Sequence, residues 1–189
     1  MLRISLLIAM VFFIGASHLV NAQDAGQRTQ ALVAALDKTK YKKKEKANIS
    51  IEIYVDVKNE AVVRSPSDYA GTYRDEDGEN SLELRISSGG VSGSGSEEMI
   101  DGGRTMRYTL RDASINGALL TATKVYENGE QRALEAVFVN RTVSAGKNAN
   151  QIESRDTKFG LGFIQTGSSS DSESGKHQAW TSRIFLERR

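Results

Sequence analysis

Imidazoles, thiols and activated hydroxyls carry much of covalent and acid–base catalysis, and this chain offers few usable arrangements of them. It has two histidines, His18 and His177, and no cysteine. A hydrolytic triad sets an imidazole beside a nucleophile. Here His18 lies in an apolar leader, and His177 follows a serine-rich run as a lone ring. Serine is abundant, yet no Gly-x-Ser-x-Gly stands at a strand-to-helix elbow, and Gly93-Ser94-Gly95 falls inside a glycine-rich strand. The absence of cysteine removes thiol catalysis and Cys-ligated metal, and no histidine spacing suits zinc. Asp75-Glu76-Asp77-Gly78-Glu79-Asn80 offers oxygen ligands but lacks the remaining ligands and flanking helices of an EF-hand loop. Asp77-Gly78 explains itself as a hairpin turn. Other carboxylates are numerous, but spacing does not say which of them face each other. No metal or cofactor is assigned, and an enzyme is disfavoured.

Two other groups of residues bear on binding. Tyr73, Tyr108, Tyr126, Phe138, Phe163 and Trp180 fall on different predicted strands. Turned inward, they either line a pocket with apolar walls and a few polar tips or fill a core, as in small barrels. Lys38, Lys40, Lys42, Lys43, Lys44 and Lys46 put six lysines in nine residues. They read as a solvated helix end and linker. The alternative is a docking patch for an anionic envelope surface, where each lysine near the surface contributes about 1 kcal/mol.

The elements that hold these groups follow from periodicity. Met1-Leu2-Arg3, the apolar run Ile4 to Ala16 and Val20-Asn21-Ala22 have the three parts of a secretory signal peptide, with cleavage expected before Gln23. The run is too short to span a bilayer comfortably, since a spanning helix needs about 20 apolar residues. The mature chain of 167 residues (189 less 22) is an ordinary single-domain length. It keeps 24 basic side chains (25 less Arg3) against 24 acidic ones, which gives no general pull toward nucleic acid. An exported chain without cysteine must rely on packing and a hydrogen-bonded sheet.

Gln27 to Leu36 reads as a short helix with one narrow apolar face at Leu32, Val33 and Leu36. Residues 23–47 are thus a helix and lysine-rich linker, and 48–189 a single domain. From Ile49 the period becomes two, in Ile49 to Val57, Tyr69 to Arg74, Ser81 to Ser87, Met106 to Arg111, Leu119 to Tyr126, Arg132 to Arg141, Lys158 to Gln165 and Ala179 to Glu187. Asn116-Gly117 and Asn128-Gly129 are hairpin dipeptides suited to type I′ turns. Thr166 to Lys176 reads as a serine-rich loop. With no second helix to act as a crossover, the expected fold is all-β: an antiparallel meander of eight or nine strands closing into a barrel. An open sandwich is the competing architecture.

The ends of the meander resemble a calycin-type barrel, the group of lipocalins, avidins and fatty-acid-binding proteins. Those proteins carry Gly-x-Trp on the first barrel strand and, in many lipocalins, an Arg on the last. Gly71-Thr72-Tyr73 and Arg183 stand in those places. The resemblance implies that Gly71, Tyr73 and Arg183 close the barrel, with Arg183 lying over an aromatic ring. Fatty-acid-binding proteins use a terminal Arg-x-Tyr to hold a carboxylate. Here the sequence is Arg183-Ile184-Phe185, and Phe185 has no hydroxyl for that role. The expectation is an exported, non-catalytic barrel that binds a small apolar or amphipathic ligand or an envelope component. Its alternative is an interaction module of the cell envelope with a filled core, and a carboxylate-based enzyme is a third reading.

Overall fold

A computed structural model describes residues 23–46, 49–99, 104–170 and 177–189, with side chains for 23–38, 53–98, 104–166 and 181–189. The signal-peptide reading of 1–22 lies outside the described residues. Residues 23–36 form a helix, α1. Ten strands follow: β1 (Lys38–Lys46), β2 (Ile49–Ala61), β3 (Gly71–Arg74), β4 (Ser81–Ser87), β5 (Gly90–Met99), β6 (Arg104–Asn116), β7 (Leu119–Tyr126), β8 (Gln131–Asn148), β9 (Gln151–Ser170) and β10 (His177–Arg188). A 3-10 turn, Pro66–Tyr69, leads into β3.

The order β8-β7-β6-β5-β4-β3-β10-β9 returns to β8 through a β8–β9 pairing, so eight antiparallel strands close a barrel. The seam is the expected one, with Glu187 opposite Arg74 and Arg188 opposite Tyr73. Closure leaves no free edge in that ring. The hairpin β1–β2 flanks it, with β2 paired to the distal half of β8, Val57 opposite Val143 and Asn59 opposite Arg141.

Three local expectations change. Lys38–Lys46 is a strand rather than a linker, paired with β2 along its whole length. β9 runs through Thr166 to Ser170 and pairs with β10, so only 171–176 of the serine-rich segment falls between strands. A ladder is made of backbone groups, and polar side chains do not forbid it. Both asparagine-glycine hairpins form, but only the glycines, Gly117 and Gly129, take positive φ. A type I′ turn needs positive φ at both central residues. At the second hairpin Tyr126 O accepts from Gly129 N, and Tyr126 N donates to Glu130 O, both at 2.9 Å. That is a type I turn followed by a glycine bulge.

The barrel alternates apolar-in and polar-out. Leu82 and Leu84 on β4, Met106, Tyr108 and Leu110 on β6, and Leu134, Ala136 and Phe138 on β8 are buried together. Glu83, Arg85, Ser94, Arg107 and Thr109 are exposed between them. A barrel that spans a bilayer has the opposite pattern, apolar outside. On β5 the inward positions are Gly93 and Gly95. A Cβ on Gly95 would lie 2.0 Å from Ser81 O and 2.7 Å from the Tyr108 hydroxyl, so the missing side chain is the space that Tyr108 fills.

Helix α1 packs on the outside. Leu36 is buried with Val137, Val139 and Ala118, and Leu32 and Val33 pack beside it. Gly162 admits it: a Cβ there would meet Leu36 Cδ1 at 2.5 Å. Arg28 makes a bidentate pair with Glu135, both contacts at 3.0 Å. Asp37 Oδ1 accepts from Asn59 N at 2.7 Å and Asn59 Nδ2 at 3.0 Å, tying the helix end to β2.

Candidate functional site

The two ends of the barrel interior differ. At the end closed by the 3-10 turn, the core is aromatic and fully buried. Tyr69 stacks on Phe138 with ring centroids 3.9 Å apart and planes 14° apart, and Tyr73 leans on Phe138 at 6.0 Å. All three side chains are fully buried. The Tyr69 hydroxyl accepts from Arg64 N at 2.7 Å and faces the Val62 carbonyl at 2.9 Å and that of Gly117 at 3.1 Å. Tyr73 donates to Tyr69 O. The hydroxyls are thereby satisfied within the fold, as buried polar groups require.

Beneath this stack the closing arginine is Arg188. Its Nη1 donates to Asp68 O at 2.7 Å and its Nη2 to Ala70 O at 2.8 Å, bridging the 3-10 turn to the last strand. Its Nε lies 3.0 Å from where a Cβ of Gly71 would stand, so a side chain there would press on the guanidinium, and the φ of +150° at Gly71 is one that other residues rarely adopt. Arg183 does something else: it is exposed, and its Nε donates to Ala35 O at 2.6 Å. It therefore caps the C-terminal carbonyls of α1 from outside, where a cation is favoured. The phase of β10 explains the exchange. Ile184 and Leu186 point inward, so residue 188 shares their face and residue 183 does not.

The other end holds a polar cluster. Glu97, 3% exposed, lies on the inner face of β5 in phase with Gly93 and Gly95, and Lys124, 5% exposed, lies on β7 between Ala122 and Tyr126. Glu97 accepts from Lys124 Nζ, from Gln165 Nε2 and, at 3.0 Å, from the Tyr126 hydroxyl. Arg132 adds a contact at 3.9 Å. The ammonium stands 4.9 Å from the Tyr108 ring centre and 4.8 Å from that of Phe163, a cation–π setting. Burial pulls the Lys124 pKa below its ordinary value, and the charge and hydrogen bond of Glu97 oppose that shift.

Of the predicted aromatics, Tyr108, Tyr126 and Phe163 thus surround an ion pair, whereas Tyr73 and Phe138 belong to the sealed core. The Trp180 side chain lies outside the described residues. Those of Lys40, Lys42, Lys43, Lys44 and Lys46 do too, while Lys38 is exposed.

Burial also raises the tyrosine pKa values: Tyr73 to about 12, and Tyr69, Tyr108 and Tyr126 in the same direction. A group whose folded pKa is raised contributes stability that is complete below its unfolded pKa and lost as pH rises through the folded one. For Tyr73 that window runs from the ordinary 10.0 to about 12. Each such tyrosine then costs about 1.4 kcal/mol per pH unit. A spectrophotometric phenolate titration should therefore show these four ionising together with alkaline unfolding. Ionisation of all six tyrosines near the ordinary value, with the fold intact, would contradict the burial.

Of the described carboxylates, Glu97 is paired with Lys124 inside the barrel. Glu79 is raised by a hydrogen bond and charge repulsion from Glu98, but it is exposed at a turn. Asp75 Oδ2 accepts from Asn80 N at 3.1 Å and Asn80 Nδ2 at 2.6 Å, so that loop closes on itself as a hairpin.

Concavities of the described residues open on the outer surface. One, about 830 Å³, spreads over β3 to β7 across Thr72, Glu83, Ser94, Ser96, Arg107 and Thr109. Another, about 530 Å³, lies at the β3–β4 turn between Asp75, Asp77 and Arg189. A third, about 380 Å³, lies across β8, β9, β10 and the end of β3. Comparison of the chain with protein-family models, curated proteins and solved structures finds no match.

Proposed function

We propose that this protein is exported and non-catalytic, and that it acts as an envelope interaction module that docks on an anionic lipid surface through its outer face. The observation that carries the reading is the occupied interior. Tyr69, Tyr73, Phe138 and Leu161 are fully buried against one another, and Glu97 is saturated by donors of its own chain. That favours the filled-core alternative over an enclosed apolar ligand, since ligand sites are preformed concavities of several hundred cubic ångströms.

The register of β1 on β2 adds a surface argument. Lys38, Lys40, Lys42, Lys44 and Lys46 stand opposite Val57, Val55, Ile53, Ile51 and Ile49. The backbone register thus sets a row of five cationic positions of β1 against five apolar positions of β2, of which Ile53 and Val55 are half-buried and Val57 is buried. Interfacial segments bind anionic bilayers through this combination of charge and apolar area. Kinship with calycin-type barrels belongs to the same proposal, supported by the eight-strand meander and by the seam of β3 on β10 beneath Arg188.

The test is co-sedimentation with vesicles of phosphatidylglycerol and phosphatidylcholine against phosphatidylcholine alone. Replacing the five lysines of the row by glutamine should weaken binding to the anionic vesicles by roughly a hundredfold or more, at about 1 kcal/mol per lysine. Unchanged binding by a folded variant would end the docking reading.

A further inference from the structure

The concavity across β8, β9 and β10 borders the β1–β2 hairpin, because Val143 of β8 stands opposite Val57 of β2 and Val57 opposite Lys38 of β1. Its walls hold five cationic side chains, Arg74, Arg141, Arg155, Lys158 and Arg189, against three carboxylates. Two of those carboxylates are already engaged. Glu187 accepts from Lys158 at 2.8 Å and lies 3.3 Å from Arg189, and Asp156 is 3.9 Å from Lys158.

Arg141 is set apart from the others. Its guanidinium lies over the Phe185 ring at 4.9 Å, and its Nε is buried with no hydrogen-bond partner. Burial lowers its pKa, with Glu76 opposing. A buried donor left unsatisfied costs free energy, and in folded proteins such groups generally find a partner in water or a bound ion. Stacking on Phe185 occupies one flat face of the guanidinium, and with Nε buried it is the Nη end of the half-buried side chain that can donate to a phosphate oxygen by a charge-assisted hydrogen bond. Val143 and Phe185 supply an apolar wall beside it.

We propose that this groove binds a phosphoryl group carried on an apolar chain, with the phosphate on Arg141, flanked by Arg74 and Arg189, and the chain along Phe185 and Val143. The proposal rests on the reading that this face meets anionic lipid, and it names the headgroup chemistry the face recognises.

The experiment is calorimetric titration of the full chain with hexyl phosphate, inorganic phosphate and hexanol. Hexyl phosphate should bind, inorganic phosphate should bind more weakly, and hexanol should show no binding. Arg141→Met should lose about tenfold or more in affinity for hexyl phosphate, the scale of a charge-assisted hydrogen bond. Its melting temperature should not fall, because the orphaned donor goes with the guanidinium; a purely structural arginine would lower it. Should that variant fail to fold, hexyl phosphate added to the wild-type protein should shift the amide resonances of Val143 and Phe185. Equal affinity for inorganic and hexyl phosphate overturns the apolar half of the site. Unchanged affinity in Arg141→Met, or no binding of hexyl phosphate, overturns the whole. A protein that binds anionic vesicles but not hexyl phosphate loses the groove and keeps the docking face; one that binds hexyl phosphate but not vesicles does the reverse.

Discussion

Lys124→Met is expected to destabilise the protein by about 3–5 kcal/mol, because it strands the Glu97 carboxylate in the barrel without its cation. The side chains are 6% and 3% exposed, so water does not replace the lost ammonium. Arg132, at 3.9 Å from Glu97, is the nearest remaining cation and puts the expected loss toward the lower end. The pair itself is worth far less than that loss, since desolvation consumes most of its attraction. Lys124→Met combined with Glu97→Leu should therefore recover much of the stability, short of what the Tyr126 hydroxyl and Gln165 amide lose with their acceptor. Chemical denaturation of the two single variants and the double variant gives the coupling directly. A loss below about 1 kcal/mol for the single variant would mean that water reaches Glu97 and that the barrel is open at this end.

Phe138→Ala carries a similar expected cost, about 3–5 kcal/mol, from lost apolar burial and the cavity left behind. The fully buried ring is covered by Tyr69 at 3.9 Å, Tyr73 at 6.0 Å and Phe159 at 6.4 Å. Those neighbours cannot easily collapse into the space. The Tyr69 hydroxyl is held by the backbone of Val62, Arg64 and Gly117, and Tyr73 by Tyr69 O. Arg64 meanwhile lies over Phe159 at 4.0 Å. The denaturation midpoint should fall without a change in slope, the mark of lost stability rather than an altered unfolded state. A cost under about 1 kcal/mol would show that the core is loosely filled and has room for a guest.

How far the sequence revealed these features depends on which face each residue occupies. The limits of β4 follow from alternation to the residue, because Leu82 and Leu84 alternate with exposed side chains, whereas on β7 Leu119 and Leu120 are both buried and the inward phase shows in Leu120, Ala122 and Tyr126. β1 gives no such signal. Lys38–Lys46 has no apolar partner row of its own and becomes a strand only by pairing with β2, a non-local contact. The polar cluster was in principle detectable. Lys124 continues the inward phase of Leu120 and Ala122, and Glu97 that of Gly93 and Gly95, so two opposite charges sit in apolar registers of separate strands. What spacing cannot supply is the meeting of β5 and β7 with Gln165 of β9 inside one ring. Phase also identifies Arg188 over Arg183 as the closing residue, once Ile184 and Leu186 are taken as the inward pair. The Arg141–Phe185 contact joins β8 to β10 across β9, and nothing in either strand's own pattern announces it.

The central claim is that the protein works from its outer face and not from its interior. Amide hydrogen exchange with and without phosphatidylglycerol vesicles tests it most directly, because it maps contact along the whole backbone. Added protection is expected along β1, β2 and the Arg141 to Val143 stretch of β8, with β4 to β6 unchanged. Protection confined to the Glu97, Lys124 and Gln165 end of the barrel, with β1 and β2 unaffected, would contradict it.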